Sequence, residues 1–105
     1  RDEGVLIIGS GMSFHNLRTL FGGRDDEASE AFDAWLTLAA TASDPQVRDA
    51  QLSRWAEAPS ARAAHPREEH LLPLMVAAGA AGADAGRRTY ADHLMGKALS
   101  AFQFG

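Results

Sequence analysis

Val5-Leu6-Ile7-Ile8, closed by Gly9-Ser10-Gly11, is the stretch on which the fold turns. A short continuous apolar run ended by glycine predicts a strand buried on both faces, the kind found in sheets covered by helices. The glycines then make a loop that permits close backbone approach or positive φ. His15 follows at once, in Met12-Ser13-Phe14-His15-Asn16. It therefore stands beyond the carboxyl end of a strand, where ligands collect in α/β proteins.

Outward from this stretch, residues 15–21 predict a short helix or turn stopped by Gly22-Gly23. A longer helix is expected over residues 25–41, with Ala28, Ala31, Phe32, Trp35, Leu38, Ala39 and Ala42 on its apolar face. Asp25, Asp26, Glu27 and Glu30 gather at its N-terminus, where the macrodipole favours negative charge. Asp44-Pro45 is a cap followed by proline at the first helical position, and that helix is expected to reach Ala56 and bury Leu52 and Trp55. Ala58-Pro59-Ser60 breaks the chain. His65-Pro66 repeats the cap-then-proline pattern and predicts a third helix ending at Gly79 or Gly82. Pro73 inside it predicts a kink one turn past His70. Residues 82–88 read as a loop, with Arg87-Arg88 a solvated pair, and residues 97–104 as a closing strand. The expected architecture is α/β: about three helices and two or more strands, part of a sheet with flanking helices. Two strands alone make a poor sheet, so a partner segment is implied.

The bulk properties bound the function. The 105 residues are 46% hydrophobic and 23% charged, with a formal net charge of −4. That length suits one domain. Without a basic stripe to release counterions, nucleic-acid binding is not expected. The absence of cysteine excludes disulfides and thiolate metal sites and fits a cytoplasmic setting. The longest apolar run, around residues 71–78, falls short of the roughly 20 residues a bilayer needs, so no membrane association is expected. The chain opens on Arg1-Asp2-Glu3, without Met, straight into the expected strand. We expect it to be a piece of something longer.

Four histidines carry the candidate chemistry: His15, His65, His70 and His93. His15 admits two readings, a general acid/base titrating near neutral pH or a histidine that hydrogen-bonds a loop carbonyl. The glycines before it do not complete a dinucleotide fingerprint. His65 and His70 lie five apart, which rotates a side chain about 140° around a helix and misses the four-residue zinc spacing. If Pro66 begins the helix, however, His65 sits outside it and could approach a shared ligand; otherwise both are surface residues beside an acidic helix start. One or two histidines do not complete a catalytic metal site, which takes about three protein ligands. His93 reads as exposed or structural. Trp35 and Trp55 read as core.

In combination, GVLIIGSGMSFHNL, a Trp-containing helical insert, AHPREEHLLPLMVAAGAAG and a terminal FQFG resemble the class III (LigB-type) extradiol ring-cleavage dioxygenases, nearest their DOPA 4,5-dioxygenase-like branch. The likeness covers essentially the whole chain, in order. It implies that residues 1–105 are the C-terminal portion of one catalytic LigB-type domain, with the N-terminal half and its two metal-binding histidines absent or on a complementary chain. It further implies His15 as catalytic acid/base, His70 as a metal ligand and His65 lining the substrate pocket. The implied metal is Fe(II), with Zn(II) the alternative; the implied reactants are a catechol-type substrate and O₂. A homo-oligomer is also expected. The alternative is a non-catalytic relative of the same fold that binds metal or protein.

Overall fold

Asn16 and Asp44 open two helices by the same device. Each has extended backbone, and each side-chain oxygen accepts from the N–H two residues on, Arg18 at 3.1 Å and Gln46 at 2.9 Å. That satisfies one of the N–H groups a helix start leaves orphaned. The computed structural model describes residues 2–21 and 24–105. The expected Gly22-Gly23 helix stop, and Arg1, lie outside the described residues. The order is α1 (Leu17–Leu20), α2 (Asp26–Ala40), α3 (Pro45–Ser53), a 3₁₀ turn (Trp55–Glu57), α4 (Ala61–Ala64), α5 (Leu72–Ala81), β1 (Gly86–Leu94) and β2 (Lys97–Phe104).

The α/β class holds, but its strands are not the expected pair. β1 and β2 form an antiparallel hairpin. They are joined at Met95-Gly96, both at positive φ (52° and 84°), as the twist of a tight hairpin demands. The loop expected over residues 82–88 ends at Gly86, and Arg87-Arg88 lie on β1 instead of a turn. Arg87 Nη2 donates to Gln103 Oε1 across the hairpin at 3.0 Å. Residues 5–8, expected as a doubly buried strand, form no strand here, and their side chains are exposed, Leu6 by 81% and Ile8 by 78%. A central strand needs paired neighbours on its edges. Among the described residues β1 and β2 pair only with each other.

α2 has the expected length but turns a different face inward. Ser29, Phe32, Asp33, Leu36, Ala39 and Ala40 are buried, whereas Leu38 is 75% exposed. The polar members explain the rotation. Ser29 Oγ accepts from Ala98 N at 3.1 Å, and Ser100 Oγ donates to Asp33 Oδ1 at 2.6 Å, so both fasten α2 to β2.

α3 stops at Ser53, and the 3₁₀ turn carries Trp55 into the core, where Leu52 is also buried. The expected helix start at Pro66 is a correction too. Residues 66–71 form bends and turns, and α5 begins at Leu72. Pro73 therefore falls in the first helical turn, where a missing N–H is harmless, and no longer breaks a helix interior. Gly82, at φ 57°, terminates α5 as expected.

The core joins Phe14, Phe32, Leu36, Leu52, Trp55 and Leu71 with small residues of α4 and α5. Each large side chain contributes about 1.5–3 kcal/mol by leaving water. Arg48 is wholly buried beside them and gathers the end of α5. It donates to the carbonyls of Ala78 (3.2 Å), Gly82 (2.6 Å) and Asp84 (2.7 Å), and to Asp49 Oδ1 (2.9 Å). A cation at a helix C-terminus also meets the negative end of the macrodipole. Lys97, also fully buried, pairs with Asp26 at the start of α2. Among the described residues, no helix is long and apolar enough to cross a membrane.

Candidate functional site

Gly9 and Gly11 are the residues that let the site form. Residues 9–16 run against the turn at residues 63–73. A Cβ on Gly11 would fall 2.2 Å from the His70 carbonyl oxygen, and one on Gly9 2.4 Å from that of Pro73. The need here is close approach, not positive φ. With hydrogen in place of Cβ, Met12 N donates to His70 O at 2.9 Å. Further along, His15 N donates to Ala64 O at 2.9 Å and Asn16 Nδ2 to Ala63 O at 2.8 Å. The two stretches are thereby stitched side by side.

This stitching brings together two of the expected site residues. The rings of His15 and His70 are stacked, with centroids 3.5 Å apart and planes 9° from parallel. His15 is half-buried and His70 exposed. His70 also borders a cleft of about 530 Å³, whose walls include Leu71, Leu74, Ala77, Phe102 and Phe104. That volume is typical of a small-molecule pocket.

His65 is placed differently. It has no exposed surface, and it is not among the residues lining the cleft. Its ring meets Phe32 and Trp55 edge-on, at 5.5 Å and 6.1 Å between centroids. Nε2 lies 2.8 Å from the Ser13 carbonyl oxygen. Because a carbonyl only accepts, Nε2 carries the proton. Nδ1 is buried without a partner among the described residues. Burial pushes the His65 pKa below its ordinary value; the Ser13 hydrogen bond opposes this, and the nearby His15 and His70 reinforce it.

His93 lies on β1, exposed and paired with Glu30 of α2. The hydrogen bond to Glu30 raises its pKa, helped by the carboxylate's charge. It stands apart from the other three histidines, as its sequence context suggested.

The hydrogen-bond network around Ser13 was not foreseen. Ser13 Oγ accepts from Ser100 N at 2.9 Å, and Ser100 Oγ donates to Asp33, which Arg88 approaches at 3.6 Å. The spacing of Ser13 two residues before His15 was a visible signal. Its partner on β2 was not.

Imidazole suits Fe(II) and Zn(II) alike. The His15 and His70 side chains make no hydrogen bond among the described residues, which leaves their ring nitrogens available. Yet the described residues include no group of three His, Cys, Asp or Glu side chains able to hold a metal ion. Two imidazoles fall short of the about three protein ligands that a catalytic metal site takes.

Comparison with known proteins gives concordant matches. A family whose model is described as "Catalytic LigB subunit of aromatic ring-opening dioxygenase" matches residues 1–103. A Beta vulgaris protein named "4,5-DOPA dioxygenase extradiol" is 44% identical over 85 residues, covering 78% of this chain and 30% of that protein. "Dioxygenase tasH" of Hapsidospora irregularis is 32% identical over 116 aligned positions, covering 100% of this chain and 36% of that protein. The chain thus spans about a third of the length of these curated relatives. No solved structure matches significantly.

Proposed function

Because the chain belongs to the family of the catalytic LigB subunit of aromatic ring-opening dioxygenases, we propose that it forms part of an extradiol dioxygenase that opens a catechol ring with O₂. The supporting observation is that His70 lines a largely apolar cleft and His15 stacks on the His70 ring. In this reading the chain is the C-terminal portion of one catalytic domain, and further ligands come from polypeptide outside it.

His70 would hold the metal, its ring exposed at the cleft edge. Bound Fe(II) would orient the catechol and O₂ and pass electron density between them. His15 would take a proton from a catechol hydroxyl and later return it, as an imidazole can near neutral pH. Leu71, Leu74 and the phenylalanines of β2 would exclude water from the aromatic ring.

The test is reconstitution. The chain is combined anaerobically with Fe(II) and the polypeptide carrying the other ligands, then given DOPA or protocatechuate in air. A yellow ring-opened semialdehyde is the expected product. Metal binding without product from any catechol would refute the enzymatic reading.

A further inference from the structure

We infer that His65 is a positioning residue, whose buried imidazole anchors the His15 segment through the Ser13 carbonyl instead of touching substrate. The inference rests on the reading of His15 and His70 as the reacting site.

Three hydrogen bonds tie residues 12–15 to the turn that carries His70. Two are between backbones, Met12 N to His70 O and His15 N to Ala64 O, both 2.9 Å. The third, His65 Nε2 to Ser13 O at 2.8 Å, lies between them and comes from a side chain. It grips the chain two residues before His15, while the residue next to His65 holds the His15 N–H. From the other side, Ser100 N holds Ser13 Oγ at 2.9 Å. Ser13 is thus clamped between β2 and His65.

The chemistry of the position supports an anchor. His65 has no exposed surface and is caged by Phe32 and Trp55, so no substrate reaches it without repacking. Its Nδ1 is buried and unpartnered. An apolar side chain would avoid that unsatisfied nitrogen. What a histidine adds here is a donor at Nε2, rigidly aimed at one carbonyl. A shift of about 1 Å in a reacting group can cost on the order of a hundredfold in rate. A clamp at Ser13 would therefore act on turnover more than on binding.

The experiment compares His65→Leu, His65→Asn and His65→Gln in the Fe(II)-loaded full-length protein. Leucine removes the donor, asparagine is too short to reach Ser13 O, and glutamine keeps an Nε2–H₂ donor at similar reach. Steady-state kcat and KM on a catechol are measured, and the imidazole ring protons are followed by NMR in the metal-free protein. We expect kcat to fall about tenfold to a hundredfold in the Leu and Asn variants, with KM within about threefold, and glutamine to restore most of the rate. The stack should shift the His15 and His70 ring protons upfield, and they should move back in Leu and Asn but not in Gln. A raised KM in all three variants with unchanged ring-proton shifts would overturn the proposal and make His65 a substrate contact. If the Leu variant does not fold, the contrast between Asn and Gln decides. Should the wild type give no ring-opened product, the enzymatic reading fails by itself, and the ring-proton shifts still decide whether His65 positions His15.

Discussion

His15 and His70 lie face to face, 3.5 Å between ring centroids and 9° from parallel, although one follows a glycine-rich stretch and the other precedes α5. Nothing in either side chain produces that arrangement. It follows from the backbone contact beneath it, where Met12 N reaches His70 O at 2.9 Å.

Gly11→Ala should therefore damage both the fold and the site. Its Cβ would press into a backbone oxygen at 2.2 Å, which cannot swing aside as a side chain could. A loss of about 1–3 kcal/mol is expected, together with loss of the upfield ring-proton shifts of the two histidines. Gly79→Ala is the control: it is helical with open space around its Cβ position, and should stabilise by about 0.4–1 kcal/mol. Urea denaturation of both variants checks the contrast, and equal midpoints would refute it.

Arg48 joins α3 to the end of α5 through three carbonyls. Arg48→Met would keep much of the volume and leave those acceptors without their buried cation. A loss of about 3 kcal/mol is expected, since hydrogen bonds to charged groups are worth about 1.5–3 kcal/mol. Arg48→Lys should rescue little, because an ammonium lacks the planar fork that spans Ala78, Gly82 and Asp84. Unfolding free energies of the two variants within about 0.5 kcal/mol of wild type would contradict this.

Local signals were legible where one residue decides the outcome. Asp44-Pro45 and Gly82 mark helix ends by their own chemistry, and the closing strand was bounded correctly at Lys97 and Phe104. Long-range pairings were not. Residues 5–8 have the composition of a central strand, but composition cannot supply the neighbour such a strand requires. The His65-Pro66 pattern resembled a helix cap, yet the His65 side chain is drawn into the core toward Ser13 and is not free to cap. Nor does the sequence around Arg48 reveal its role, because the three carbonyls it holds lie 30 or more residues away. The hairpin turn at Met95-Gly96 was hidden because Met seldom adopts the positive φ it has there.

The buried His65 predicts an acid-sensitive fold. Its pKa in the folded protein lies below the 6.5 of an ordinary histidine, chiefly through burial. The unfolded chain therefore binds more protons as pH falls past that value, and stability falls with it. The contribution is fully present above 6.5 and is lost as pH drops from there through the lowered folded pKa. His93 works in the opposite sense, since its pKa is raised by Glu30: its pairing is present below 6.5 and lost as pH rises through the raised value. Because that pair is exposed, solvent screens it and its effect should be small. Urea midpoints of the metal-free protein between pH 5 and 8 should decline on the acid side, and His65→Gln should flatten the decline. A wild-type midpoint independent of pH over that range would refute the assignment.

The stacked pair makes the two histidines look equivalent, but the proposed roles separate them experimentally. His70→Ala should remove a metal ligand, so Fe(II) affinity and turnover fall together. His15→Ala should leave the affinity within about tenfold while kcat falls by about 10²–10⁴, the usual worth of a general acid/base. His15→Gln cannot exchange a proton at neutral pH and should be no better than alanine. Anaerobic Fe(II) titration alongside single-turnover kinetics distinguishes the two losses. If His15→Ala weakens Fe(II) binding as much as His70→Ala does, then His15 is itself a ligand, and the proton must be carried by another group.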